Sequence, residues 1–557
     1  MPGSAHTHGG GGAAGGGGRP SLEVWLCRLL RRPLPVALPE DVMWHILSFV
    51  PPDVAFHLSL RPLTLLVDKA GSSRGVFTTI SAALRAAAHG DVILVKPGVY
   101  RESLRLDTCV SIVAHGCPTN GAGAGRAGPG TLSGGASVVI TSARDHTITS
   151  AAPLARVAGV TLKQTGNCGR SCVLTTHGTL EVRSCAVSSA CGLCVEVTHL
   201  ATPRIVHSRI HDGAAAGLWF RAGGGGLVEG CEILGNGWSG VQISEGAHPA
   251  LRCCYVHDNK SAGVISFAGG RGLVSHNDIA NNGKGGVQVR SAASPTLRNN
   301  RIRDERSAGC WIYEGGLGRF FGNEIVDCCW SGFQVEEGSE PLVVANRLRG
   351  NRSAGVVVYN RGGGVYAFND ISGNGRCGVQ IKSGSAPLLR FNRIHHEKQA
   401  GVLTAEDGTG LLEDNDIFDC QWSGVQTEGP SNPLLRRNLI HHNGGAGFIA
   451  YQCGSGTLLA NKIYGNSKYG VQSKTGGNPI VRGNDIHDRA FAIYLTEAGA
   501  GHFEGNSLHA LGASRQGTGV FASADCSPIL SDNEFGELEI GGGAPAAVDS
   551  ASEDSEH

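Results

Sequence analysis

One spacing governs this chain. Asn277, Asn300, Asn323, Asn346, Asn369, Asn392, Asn415, Asn438, Asn461 and Asn484 follow one another at a constant step of 23 residues. Cys254, Cys231, Ser208 and Cys185 continue the same register towards the N-terminus. A second series holds glycine: Gly240, Gly286, Gly332, Gly378, Gly424 and Gly470, with Gly217, Gly263, Gly309, Gly355, Gly401 and Gly447 at the half-interval. A fixed period in this range means that each unit buries its apolar side only against its neighbours, so the chain must stack into a solenoid.

The unit lacks the leucine-rich spacing and any helical stretch. It contains short alternating runs such as "GVQI" and "NDI", separated by Gly, Asn and Ser. Period-two patterning between turn residues marks strands. The predicted fold class is therefore all-β, a single-stranded right-handed parallel β-helix of the pectin-lyase-like kind with a short N-terminal helical segment. Some fifteen coils at about 4.8 Å per coil give a rod on the order of 70 Å. Ile279, Ile302, Ile325, Leu348, Ile371, Ile394, Ile417, Ile440, Ile463 and Ile486 are expected to stack inside it. The ladder asparagines belong at a bend, where they bond neighbouring backbone and tolerate left-handed angles. The glycines belong where a side chain does not fit.

Composition agrees. Glycine is 85 of 557 residues without a G-X-Y period, which excludes collagen. Apolar residues make up 41% and charged residues 17%, with zero net charge, so no nucleic acid or membrane partner is expected. No run of eighteen apolar residues and no signal-peptide pattern stands out, so the 18 cysteines are read as reduced thiols of a cytoplasmic or nuclear protein. The adjacent pairs Cys253–Cys254 and Cys328–Cys329 have poor spacing for zinc. No metal, cofactor or catalytic residue is predicted.

Four segments follow: residues 1–20, Gly-rich and disordered; 21–66, helical; 76–540, the β-helix with a helix cap; and 541–557, a disordered acidic tail. Ile80, Leu84 and Ala87 share one face of the cap helix, which Gly90 ends, and a Gly-rich insert at 116–135 reads as a loop. In the helical segment, "LPEDVMWHILSFVPPDV" resembles the opening of an F-box, matched at Leu38, Pro39, Ile46, Leu47, Phe49 and Val50. With the coils, the chain resembles F-box proteins that carry a carbohydrate-binding-like β-helix. That resemblance implies a substrate receptor of a cullin–RING ubiquitin ligase, the six residues binding the F-box adaptor and thereby the cullin core. The third helix of a full F-box is missing.

The fold itself supplies the alternatives, a polyuronate lyase or epimerase, or a non-catalytic scaffold. The N-T-D, D-D and G-H-G motifs of polygalacturonases are absent. For the receptor reading, the strands opened by the ladder glycines matter most. Their outward positions form two files, alternately apolar and polar by coil, and Phe267, Trp311, Tyr313, Val357, Tyr359 and Tyr451 are the candidate residues for an unidentified protein substrate. They are expected to be exposed on one face. Trp238, Trp330 and Trp422 recur every fourth coil and are expected to shield a bend.

Overall fold

The computed structural model describes residues 63–71, 75–117, 137–488, 490–510 and 519–535. In it the 23-residue units form the coils of a right-handed parallel β-helix, all-β apart from one short helix. Among the described residues the three faces hold 20, 19 and 18 strands. Pairing is parallel throughout and in register from coil to coil: Val241–Ile243 pairs with Val264–Ser266, and that strand with Val287–Val289. Eighteen coils at about 4.8 Å make a rod of roughly 85 Å. That is longer than the expected fifteen coils; the stretch before residue 190 lies within the rod as expected, its coils, such as those of Ile148–Ser150 and Val173–Thr175, departing from the step of 23.

Each coil runs from a first face (such as Ala250–Arg252) through a two-residue bend to a second (Tyr255–His257). A longer turn then leads to a third (Val264–Ser266). The predicted isoleucine ladder is the spine of the interior, every member from Ile279 to Ile486 being buried. The ladder glycines pack as expected: a Cβ on Gly309 would stand 2.4 Å from Ile325 Cγ2.

The asparagine ladder occupies the bend between the first and second faces. Asn346 Oδ1 accepts from the Asn323 backbone N–H at 2.8 Å and from Asn323 Nδ2 at 2.9 Å, while its own Nδ2 donates to Phe320 O at 3.0 Å. The left-handed angle falls one residue earlier than expected, on His276, Asn299, Ala345, Phe368 and Phe391. The asparagine itself turns inward to serve the backbone of adjoining coils. A second ladder, which the sequence reading did not identify, lines the turn into the third face. It runs Asn236, Asn259, Asn282, Glu305, Cys328, Asn351, Asn374, Glu397, Cys420, Asn443, Asn466 and Asp488, all buried.

At the N-terminal end the helix Ile80–Ala86 covers the first coil, burying Ile80 and Ala83, with Leu84 and Ala87 packed on the core. Thr79 caps it, and the Glu102 carboxylate accepts from the Ile80 and Ser81 N–H groups at 3.0 and 2.8 Å. The helix gives way to extended backbone at Ala87, before the expected stop at Gly90. Thr64–Val67, placed by the sequence reading largely in the helical segment, is instead a strand paired with Val92–Val95. Its run of β-branched and apolar residues finds a sheet edge there. The F-box-like residues Leu38, Pro39, Ile46, Leu47, Phe49 and Val50 lie outside the described residues, as do the Gly-rich start, nearly all of the 116–135 insert and the acidic tail.

Candidate functional site

A cleft of about 640 Å³ opens on the third face, in its N-terminal half. Its floor is the outward residue of three successive strands, Leu174, Glu196 and Trp219, which stand in register. The turn into that face forms one wall, with His146, Arg170, Ser171, Cys191 and Trp238. The turn out of it forms the other, with Thr176, Thr198, His199 and Arg221. Strand alternation dictates the floor: Val195 and Val197 point into the core, so Glu196 must point out.

Glu196 is held on both sides. It accepts from Arg221 Nη2 at 2.5 Å and Nε at 3.1 Å, and Ser171 Oγ donates to its other oxygen at 2.5 Å. The Arg221 guanidinium lies 4.9 Å over the Trp219 ring, whose Nε1 donates to Ser244 Oγ at 2.9 Å. Trp219 is thus held by a cation over one ring face and a hydrogen bond at its edge. Trp238 stands on the wall with 55% of its surface exposed. Arg170 is also exposed and has no acidic partner among the described residues.

His146 is buried, and its Nδ1 lies 2.9 Å from the Ser171 carbonyl oxygen. A carbonyl only accepts, so Nδ1 carries a proton, and in the neutral imidazole the lone pair is on Nε2. Glu196 is the one carboxylate among the lining residues, and its oxygens are already engaged. The cleft therefore offers an aromatic floor, an unpaired guanidinium and an imidazole of defined tautomer. It does not offer the two carboxylates that glycoside hydrolysis uses.

The sequence reading missed this site. The outward file that holds Trp311 and Val357 continues backwards through Gln242, Trp219, Glu196 and Leu174 to Thr149. The step there changes from 23 to 22 (Leu174 to Glu196) and 25 (Thr149 to Leu174), which breaks the alignment of repeats. Trp219 itself lay within the regular period and was the available signal.

The predicted substrate residues Phe267, Trp311, Tyr313, Val357, Tyr359 and Tyr451 do lie on the third face, but half-buried rather than exposed. The reason is lateral packing along the file. Trp311 stacks on Tyr313 at 4.5 Å and donates to Glu336 at 2.6 Å. Gln334 and Gln426 donate to the Tyr359 and Tyr451 hydroxyls at 2.5 and 2.8 Å. Arg290 covers Phe267 at 5.4 Å. Trp238, Trp330 and Trp422, expected to shield a bend, are instead more than half exposed.

One further group has the chemistry of a metal site: the ligand atoms of Asp485, His487 and His509 lie within 4.8 Å of one another on the second face. The sequence reading named no metal residues, since Asp485 and His487 share one strand and only register brings His509 of the next coil beside them.

Fold and cleft together define a class, a parallel β-helix with a polar, aromatic-floored groove along one outer sheet. The chain belongs to the family described as right handed beta helix region, which it matches at residues 141–289, 254–386, 331–484 and 444–544. No curated protein matches it. Among solved structures it is similar to the pectate lyase Pel9A, with 12% identity over 55% of this chain and 78% of that one, at a TM-score of 0.37. It is also similar to the periplasmic alginate epimerase AlgG, with 10% identity, 80% and 77% coverage and a TM-score of 0.27. The A-module of the Azotobacter vinelandii mannuronan C-5 epimerase AlgE6 is a third, with 13% identity, 82% and 94% coverage and a TM-score of 0.25.

These findings correct the expected identity. The matched family is defined by the right-handed β-helix, which spans residues 141–544, and not by an F-box. The resemblance at 38–54 rested on a short apolar sequence pattern, and the coils that were read with it match the right-handed β-helix family. Among the described residues, no helix is long and apolar enough to cross a membrane.

Proposed function

We propose that this chain is a carbohydrate-active protein of the lyase or epimerase type, binding an acidic polysaccharide along the third face. The observation that supports it best is the joint placement of Trp219, Trp238, Arg170 and His146 in one groove. A sugar ring is apolar on its faces and polar at its rim, so it packs on the exposed Trp238 ring, beside the Arg221-covered Trp219, and bonds to the walls. Arg170 then pairs with the uronate carboxylate in the charge-assisted geometry that guanidinium favours. His146 Nε2 takes the proton from the carbon next to that carboxylate, and Arg170 stabilises the charge that develops on the carboxylate oxygens. Loss of the leaving-group oxygen, which takes up a proton from water, gives elimination, and return of a proton from water to the opposite face gives epimerisation, His146 passing the abstracted proton to solvent in either case. Glu196 is a positioning group that holds Arg221 over Trp219.

The test is incubation of the protein with polygalacturonate and alginate. Unsaturated ends report elimination, and deuterium at the proton-exchanging carbon in heavy water reports epimerisation. Turnover should fall about 100-fold or more in His146→Ala with binding retained. Arg170→Ala should weaken binding about tenfold, the worth of one charge-assisted hydrogen bond. Failure of every uronate polymer to bind contradicts the proposal.

A further inference from the structure

Cys168 and Cys191 sit on adjacent coils, 23 residues apart, with their sulfurs 3.9 Å from each other. Cys168 is exposed and Cys191 is partly so, on the wall of the cleft. Equivalent positions in neighbouring coils are about 4.8 Å apart along the rod, inside the range of Cα separations that a disulfide spans. The sulfurs need only approach to about 2.0 Å, by rotation about their side-chain bonds. The contrasting pair is Cys231 and Cys254, also stacked but buried at 2% and 3% exposure, beyond the reach of a solvent oxidant.

We infer that Cys168 and Cys191 form a reversible disulfide that fastens the cleft wall across two coils. With glutathione disulfide as oxidant, the Cys168 thiolate attacks one glutathione sulfur and expels one glutathione thiolate. The Cys191 thiolate then attacks Cys168 Sγ in the mixed disulfide and expels the second. Two protein thiols are oxidised, one glutathione disulfide is reduced to two glutathiones, and the two thiol protons pass to solvent or to the departing thiolates.

The consequence is local. Cys168 stands two residues before Arg170, and Ser171 follows with its hydrogen bond to Glu196. Cys191 Sγ already points at the Arg170 carbonyl oxygen, 3.7 Å away. The bridge therefore ties the segment that carries Arg170 to the coil beneath it. This chemistry is independent of the ligand proposed for the cleft.

The experiment is equilibration of the full chain in glutathione buffers of graded ratio, followed by thiol trapping, non-reducing digestion and mass spectrometry. The expected result is a cross-linked peptide joining Cys168 and Cys191 that titrates with the buffer and disappears in either Cys168→Ser or Cys191→Ser. Cys253→Ser and Cys453→Ser, at exposed positions elsewhere, should leave it unchanged. Amide exchange at residues 169–171 should slow about tenfold on oxidation of the parent and stay unchanged in Cys168→Ser. Both thiols remaining trapped as free or glutathionylated under oxidising buffer would overturn the inference. So would a cross-link from either cysteine to some other partner. Circular dichroism of the serine variants separates loss of the bridge from loss of the fold.

Discussion

Glu305 and Glu397 occupy places that asparagine holds elsewhere in the second ladder, and both are fully buried. Glu305 accepts from the Asn282 backbone N–H at 2.7 Å and from its Nδ2 at 3.1 Å, and Glu397 does the same for Asn374 at 2.7 and 3.1 Å. Burial outweighs these hydrogen bonds and pushes both carboxyls up to about 8 from the usual 4.5. The folded chain thus keeps protons that the unfolded chain has released. The resulting stability is fully present below about pH 4.5 and is lost as pH rises through about 8. Glu305→Gln removes the charge and keeps an acceptor. It should raise stability at pH 8 by on the order of 2 kcal/mol and leave it nearly unchanged at pH 4.5. Denaturant unfolding at the two pH values checks this, and an equal effect at both would contradict it.

Some residue-scale features were legible and others were not, for a physical reason. Ile325 and Asn346 recur because every coil needs the same shape and the same hydrogen bonds at those places. The left-handed position varies among His276, Asn299, Gly322, Ala345 and Phe368 because its side chain points away from the core. Only the backbone matters there, so no residue type marks it.

At the scale of elements, strands of three residues have little stability of their own, and the ladders at their ends bind them into faces. Asn346 makes hydrogen bonds to Asn323, Phe320, Val344 and Asn369. Asn346→Ala leaves buried backbone groups without partners and should destabilise by about 3 kcal/mol or more, with exchange accelerated in the coils on either side. Ile325→Ala opens a cavity in the adjoining coil at about 2–5 kcal/mol, with exchange raised mainly from the core side. Comparable losses with different exchange maps are expected, and identical maps would contradict separate roles. The cleft arises at this scale too. Its floor was hidden because early coils change their step by one or two residues, though the pleat still sends Leu174, Glu196 and Trp219 outward.

Across the whole molecule, one rod presents three long faces, and they differ in chemistry. The second face shows a stacked row of His395, Phe418, His441 and Tyr464 at ring separations of 4.8 to 5.1 Å. The third face holds the cleft near one end and the half-buried aromatic file farther along. The recurrence of Trp238, Trp330 and Trp422 matches a four-coil ancestral block, yet only Trp238 meets a groove with Arg170 and His146. Repetition therefore built the rod, and the irregular coils made one part of it unlike the rest.

Hydrogen exchange with and without a polyuronate oligosaccharide tests the central claim most directly, because it reads every coil at once. Protection is predicted at residues 169–176, 191–199 and 214–221, diminished in Trp238→Ala and Arg170→Ala. Protection confined to residues 311–359, or none at saturating oligosaccharide, would contradict the assignment of the cleft.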